Sequence, residues 1–313
     1  SDASAQQASS VADMPPSMLY PMFVVAAAVV AKMEACQPHQ VLQALRVLVK
    51  FDTSAKMIAT FVSHQWCGTS HADPYVRQLR VLQRVILKAS AGELRIDADL
   101  FSAVAYKTRP SLRRSQLHQL ASGYIWYDYF SVPQPLYEQD AESGPMSDMQ
   151  SELGQAVASL AAYVENCTFF VILAPTVDHE DGHTIGYRSW KTRGWCRFER
   201  LARVLSSSED TTMLLVRRHD SVFQIGAQDY LFDPVGWGEF SDTADRARLA
   251  RKAQRMLLTK LSRLLRSGHL HEYRALMSQR PVLLEGLPVD WLVMAASGER
   301  PRMAERIHLR ETC

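Results

Sequence analysis

Glu199 is the residue of this chain with the clearest chemical use. It lies in Arg193-Gly194-Trp195-Cys196-Arg197-Phe198-Glu199-Arg200, where Phe198, Leu201, Ala202 and Leu205 carry a helical apolar spacing. One loop earlier stands Thr168-Phe169-Phe170-Val171-Ile172-Leu173-Ala174. Its β-branched and aromatic residues follow one another without alternation, as in a strand buried on both faces. The order strand, loop, helix presents a carboxylate in the first turns of a helix near the C-terminal edge of a sheet. Ligands bind at that edge in open α/β sheets. A purely structural use competes with this one: a favourable place in the helix dipole and an i,i+4 pair with Arg203.

Other reactive side chains carry the same two kinds of reading. Ser63, His64, Gln65 and Trp66 end an earlier apolar strand and should share the crevice with Glu199. Ser63 and His64 can donate to phosphates; in the structural alternative Trp66 packs under a loop and His64 bonds a carbonyl. Asp128 ends another strand, where it either accepts N–H bonds from the next loop or reaches a ligand. Ser189, Trp190 and Arg193 precede the Glu199 helix; Arg193 can hold a phosphate or cap a neighbouring helix. Cys196 lies close to Glu199 but has no histidine beside it in sequence, which favours a packed thiol. Gly68-Thr69-Ser70-His71 lacks the Lys-Ser/Thr ending of a P-loop. Asp178-His179-Glu180-Asp181-Gly182-His183 has the composition of a metal cluster without a rigid helical ligand spacing. The expectation there is a solvated loop and no metal.

The elements that must position these groups alternate from Ile58 to Val216. Val47–Phe51 and Met57–Val62 read as two strands joined by a hairpin turn at Asp52-Thr53-Ser54-Ala55-Lys56. Asp73-Pro74 opens a helix with Val76, Leu79, Leu82, Val85 and Ile86 on one face. Leu112–Leu120 is a further helical stretch. Tyr124–Phe130 reads as a strand stopped by Val132-Pro133-Gln134-Pro135, and acidic Tyr137–Ser147 as a mobile loop. A helix over Met149–Val164, the Thr168 strand, the Glu199 helix and a strand over Thr211–Val216 complete the series. This alternation predicts a parallel α/β sheet with right-handed crossovers. Residues 1–16 are small and polar, the composition of a disordered tail. Residues 17–55 form an N-terminal extension packing on the core, 56–218 the α/β domain, and 219–313 a mainly helical C-terminal extension.

The 313 residues are 47% hydrophobic and 22% charged, with a formal net charge of +2. Such a balance suits a soluble globular chain and argues against a strongly basic nucleic-acid binder. Five cysteines, odd in number and without a CxxC pair, indicate neither a zinc ribbon nor a disulfide framework. A reducing, cytoplasmic setting follows. Met18–Ala31 is strongly apolar but shorter than the roughly 20 residues a membrane span needs, and Pro21 interrupts it. A buried strand or helix is expected there. The basic amphipathic stretch from Arg246 to Arg266 is expected to pack its apolar stripe over an edge of the sheet. At both places membrane contact ranks behind packing.

In this order the motifs resemble the TIR domain superfamily. The matching pieces are Phe61-Val62-Ser63-His64-Gln65-Trp66, Trp126-Tyr127-Asp128, Phe170-Val171-Ile172-Leu173 and Trp195-Cys196-Arg197-Phe198-Glu199. The last is similar to a Trp-Cys-x-x-Glu helix start. The fungal HET domain, itself TIR-like, is resembled about as well by Ser63-His64-Gln65-Trp66, by Ile125-Trp126-Tyr127-Asp128 with Gln134, and by Arg193-Gly194-Trp195. The likeness spans about Ile58 to Arg218. The chain departs from it in a long segment between Ser90 and Ser122 and an enlarged loop from Pro175 to Lys191.

The resemblance implies a flavodoxin-like, TIR-like parallel sheet flanked by helices, with helical extensions at both ends. Many TIR domains cleave the nicotinamide–ribose bond of NAD, and on that likeness Glu199 is the catalytic carboxylate. An anion fixed beside the ribose stabilises the oxocarbenium character of the transition state. Ser63, His64, Gln65, Trp66, Asp128, Trp190, Arg193, Trp195 and Cys196 then line the nucleotide site, with Trp66 free to stack on adenine or nicotinamide. NAD or NADP is the substrate in this reading, and no separate cofactor is implied. The alternative is a non-catalytic TIR/HET-like module acting by self-association.

Overall fold

The structure is a computed structural model that describes residues 18–105, 107, 112–134, 151–208, 213–226 and 232–289. The sequence readings for residues 1–16 and for Tyr137–Ser147 fall outside them. Ten strands occur among the described residues: β1 (Phe23–Ala26), β2 (Val49–Lys50), β3 (Ala59–His64), β4 (Asp97–Ala98), β5 (Tyr124–Tyr127), β6 (Phe169–Leu173), β7 (Val177–Asp178), β8 (Thr184–Ile185), β9 (Met213–Arg218) and β10 (Ser221–Ile225). Eight of them form one sheet in the order β2-β1-β5-β3-β6-β9-β10-β4, and β7 and β8 pair separately. Strands β5, β3, β6 and β9 are mutually parallel. Counted by their order in the chain they run 2-1-3-4, the order of the flavodoxin-like open sheet. The molecule is thus an α/β protein with a mostly parallel sheet flanked by helices, compatible with a flavodoxin-like fold.

Burial explains why these segments took the centre. Every residue of β3 and β6 is buried, because helices cover both faces of the sheet. On one face Phe61, Trp126, Phe170 and Ile172 pack with helices Leu160–Asn166 and Gly194–Leu205. On the other, Val62, Ile125, Tyr127 and Val171 pack with helices Arg77–Ser90 and Arg114–Ser122. The expected core positions Phe61, Ile125, Val171 and Leu214 each lie in a parallel strand.

The antiparallel strands lie outside this centre. Residues 219–220 alone separate β9 from β10, and so short a link can only reverse the chain. The sheet therefore continues past residue 218 before the C-terminal helices begin. At the other side the apolar N-terminal run enters the sheet as β1, antiparallel to β5, and continues as the short helix Ala27–Val30. No helix of the described residues is long and apolar enough to cross a membrane.

Several local expectations are corrected. The segment from Asp52 to Lys56 is no hairpin turn. Asp52 accepts from the Ser54 N–H at 2.8 Å and caps a 3-10 turn, Thr53–Ala55, followed by Lys56 at φ 51°. Exposed β2 stays at the edge on β1, while fully buried β3 needs a partner on each side and takes β5 and β6. The Tyr124 strand ends at Tyr127, and Asp128 begins the short helix Asp128–Ser131. The Met149–Val164 segment carries two helices, Glu152–Ala158 and Leu160–Asn166, divided at Ser159. The Ser159 hydroxyl accepts from the N–H groups of Leu19 and Tyr20 and pins the N-terminal segment.

The basic amphipathic helix, Ala244–Arg266, packs on helix Gly194–Leu205 rather than over a sheet edge. Its Leu249, Ala253, Met256, Leu257 and Leu261 are buried. Two of its cations serve helix C-termini, where carbonyls lack intrahelical donors. Lys252 Nζ donates to the Val157 and Ala158 carbonyls, and Lys260 Nζ to that of Ser206.

Candidate functional site

Position and capping of one helix decide where Glu199 stands. Gly194 begins helix Gly194–Leu205 and donates its N–H to Glu239 O at 2.8 Å. A Cβ on Gly194 would lie 2.1 Å from the Phe240 ring, so only glycine admits this approach. The helix is clamped further along by its arginines. Arg197 donates to the carbonyls of Lys191 and Pro234. Fully buried Arg200 reaches Asp233, which also pairs with Lys191 at 2.9 Å. Arg203 is buried as well and donates to Cys167 O and Thr168 O at 2.9 Å each. Its guanidinium is directed at the start of β6 and does not form the i,i+4 pair with Glu199.

Glu199 itself meets the end of β3. Ser63 Oγ donates to Glu199 Oε2 at 2.5 Å and accepts from the indole N–H of Trp190 at 3.0 Å. Trp190 is fully buried, so the Ser63 hydroxyl is held from two sides. Glu199 is partly buried, and its acidity records the loss of water. Burial pushes its carboxyl up from 4.5 to about 8. The Ser63 hydrogen bond opposes that rise, the Asp128 charge adds to it, and His64 and Arg193 oppose it more weakly. Glu199 and Ser63 are 136 residues apart in sequence and meet at the C-terminal end of β3, beside the point where strand order reverses.

A second acid site occupies the opposite face of β3, one residue on. Asp128 Oδ1 lies 2.6 Å from His64 Nε2, and Asp128 Oδ2 accepts from the Trp66 indole N–H at 2.8 Å. The Tyr129 N–H also donates to Asp128. Burial pushes the Asp128 carboxyl up, but His64 and the three hydrogen bonds outweigh it and hold it below the ordinary value. For His64, burial alone would lower the ring; the Asp128 carboxylate outweighs burial and raises it. The His64 ring stacks on Tyr127 with centroids 3.9 Å apart. Consecutive strand residues thus serve different acids because successive side chains point to opposite faces.

The remaining expected site residues divide. Gln65 accepts from Ser189 Oγ at 2.8 Å, which ties the β3 exit to helix Tyr187–Thr192. Arg193 is close enough for its charge to act on Glu199, at the N-cap of the same helix. Cys196 is buried under the end of β3 and directs its thiol to His64 O at 3.7 Å. Burial raises that thiol well above its usual range, which makes it a packing group and no nucleophile. Trp195 is engaged elsewhere: its indole N–H donates to Asp245 at 2.8 Å and anchors helix Ala244–Arg266. Gln134 folds back on its own turn and donates to Val132 O.

Two further residues support the site from the segment after β3. Fully buried Asp73 accepts from the N–H groups of Arg77 and Leu79 and so caps helix Arg77–Ser90. Gln78 donates to Gln65 O and to Cys67 Sγ, and fixes the segment that follows β3. Asp73 was legible as a helix start; nothing in sequence marks Gln78. An apolar groove of about 430 Å³, lined by Val29, Met33, Leu42, Leu45 and Val47 among others, shares no lining residue with the acid site.

Comparison of the chain with protein families, curated proteins and solved structures finds no match.

Proposed function

We propose that this protein is a TIR-like NAD(P) glycohydrolase in which Glu199 is the catalytic carboxylate. The observation that carries the reading is the Ser63–Glu199 contact. Glu199 is an acid with a raised pKa, held by a buried hydroxyl at the ligand-binding edge of the sheet. In the reaction the C1′–N bond of the nicotinamide riboside breaks, and its electron pair leaves with neutral nicotinamide. Water adds to C1′ and releases a proton. Ionised Glu199 stabilises the positive charge that develops on the ribose and orients a ribose hydroxyl. The cationic nicotinamide ring favours that ionised form on binding. Ser63 and Trp190 fix the carboxylate's direction. Asp128 with His64 and Trp66 forms a second polar wall on the other face of β3. Arg193 supplies positive charge for a phosphate.

Release of nicotinamide from NAD or NADP by purified protein tests the reading, assayed dilute and under conditions that promote assembly. Turnover that Glu199→Gln abolishes supports it. Absence of turnover under both conditions sinks it and favours the self-associating interaction module.

A further inference from the structure

The enlarged loop before the Glu199 helix is an ordered hairpin, and its tip gathers three metal-ligating side chains. Strands β7 and β8 pair through Val177↔Ile185 and Asp178↔Thr184. Gly182 turns the chain at φ 90°, where other residues are strained. Two backbone bonds close the tip: His179 N–H to His183 O at 2.8 Å and Gly182 N–H to His179 O at 3.0 Å. This folds His179, Asp181 and His183 inward together. His179 Nδ1 lies 2.6 Å and His183 Nδ1 2.5 Å from the same oxygen, Asp181 Oδ1. The two imidazoles stack with centroids 4.5 Å apart. One ligand atom from each residue falls within 4.8 Å of the others.

Two ring nitrogens on one carboxylate oxygen satisfy one another in only two ways. Each ring can present an Nδ1–H, or both can turn lone pairs with the carboxylate toward one cation. We propose that His179, Asp181 and His183 bind a divalent transition-metal ion of the zinc class, completed by solvent. Two imidazoles and a carboxylate select such an ion over magnesium or calcium, which take oxygen ligands. Zinc sits about 2.0–2.2 Å from nitrogen and oxygen ligands, so the two short contacts open by a fraction of an ångström. Asp181 and His183 have the freedom to do this, their side chains being 60% and 57% exposed.

The neighbouring acids are otherwise engaged. Asp178 pairs with Arg77 at 2.7 Å. Glu180 accepts from the N–H and hydroxyl of Thr69, and its own N–H donates to Cys67 O at 2.8 Å. These bonds dock the hairpin on the segment directly after Trp66. A metal at the tip therefore stiffens the segment that follows β3. The proposal stands independently of NAD cleavage.

The test uses the full chain freed of metal by chelator. Co²⁺ is titrated and followed by its visible absorption, and Zn²⁺ is titrated by calorimetry. The result expected is one equivalent per chain, with Zn²⁺ displacing Co²⁺ and slowing exchange of the Thr69 amide. Asp181→Asn and His183→Ala should each weaken binding at least about tenfold. His118→Ala, at an exposed histidine on helix Arg114–Ser122, should leave it unchanged. Both ligand positions are exposed, so the variants keep the fold, and circular dichroism verifies it. Absence of saturable binding, or binding equal in wild type and both ligand variants, overturns the proposal.

Discussion

Replacing Glu199 by Gln should separate the chemistry of this residue from its cost to the fold. In the folded protein burial raises the carboxyl from 4.5 to about 8. Such an acid holds its proton more tightly folded than unfolded. Below pH 4.5 both states are protonated and the site costs nothing; the cost grows as pH rises to about 8 and is constant above. At about 1.4 kcal/mol per pH unit the full gap corresponds to roughly 5 kcal/mol. Residual solvent contact and local relaxation reduce this to about 1–3 kcal/mol. Gln keeps the size and the oxygen that accepts from Ser63, and it cannot ionise. Urea unfolding at pH 5 and pH 9 should therefore show wild type and Glu199→Gln nearly equal at pH 5. At pH 9 the variant should be the more stable by about 1–3 kcal/mol. If the protein cleaves NAD, the same change should lower turnover about 10²–10³-fold, the usual effect of losing one placed electrostatic group. The wild-type kcat/KM should rise tenfold per pH unit and level near pH 8, where the free carboxyl ionises. Stability curves that run parallel from pH 5 to pH 9 would refute the buried-acid argument. Undiminished turnover by Glu199→Gln would remove the residue from the reaction.

Three further outcomes follow from neighbouring contacts. Ser63→Ala removes a hydrogen bond that holds Glu199 down, so the pH profile of kcat/KM should move to higher pH, as read from rates across pH 6–10 or so. Asp128→Asn should destabilise by about 1–2 kcal/mol after allowance for the partial exposure of Asp128. In wild type the Asp128 contribution is present above its unfolded pKa and lost as pH falls through the lowered folded value. The His64 contribution is present below its unfolded pKa and lost as pH rises through the raised one. Denaturant midpoints of the variant should thus differ most from wild type between about pH 4 and 6.5. Gly194→Ala places a methyl against Phe240 and should cost about 1–3 kcal/mol or more by thermal unfolding, with Glu199 displaced from Ser63.

Local pattern was enough to identify the centre of this protein. The unbroken apolar run at Thr168–Ala174 marked β6 as a strand buried on both faces, while β3 was legible as a strand and its burial on both faces emerged only in the assembled sheet. Helical spacing marked the Arg77 and Gly194 helices, and their alternation with strands implied parallel pairing. From there the switch-point rule was sufficient to bring Ser63 and Glu199 to one edge across 136 residues. Pairings that depend on distant partners were beyond reach. Whether β2 joined β3 or β1 turned on competition for a central place, which only the assembled sheet resolves. Arg203 lay at the right spacing to pair with Glu199, yet the carbonyls of Cys167 and Thr168 claimed it. Trp195 was drawn away by Asp245, 50 residues later. The raised acidity of Glu199 comes from how much water the surrounding elements exclude. Likewise His179, Asp181 and His183 have no helical spacing, and only the turn at Gly182 folds their ligand atoms together. Periodicity along the chain reports which face of each element is buried; which groups meet on that face is set by the packing of elements far apart in sequence.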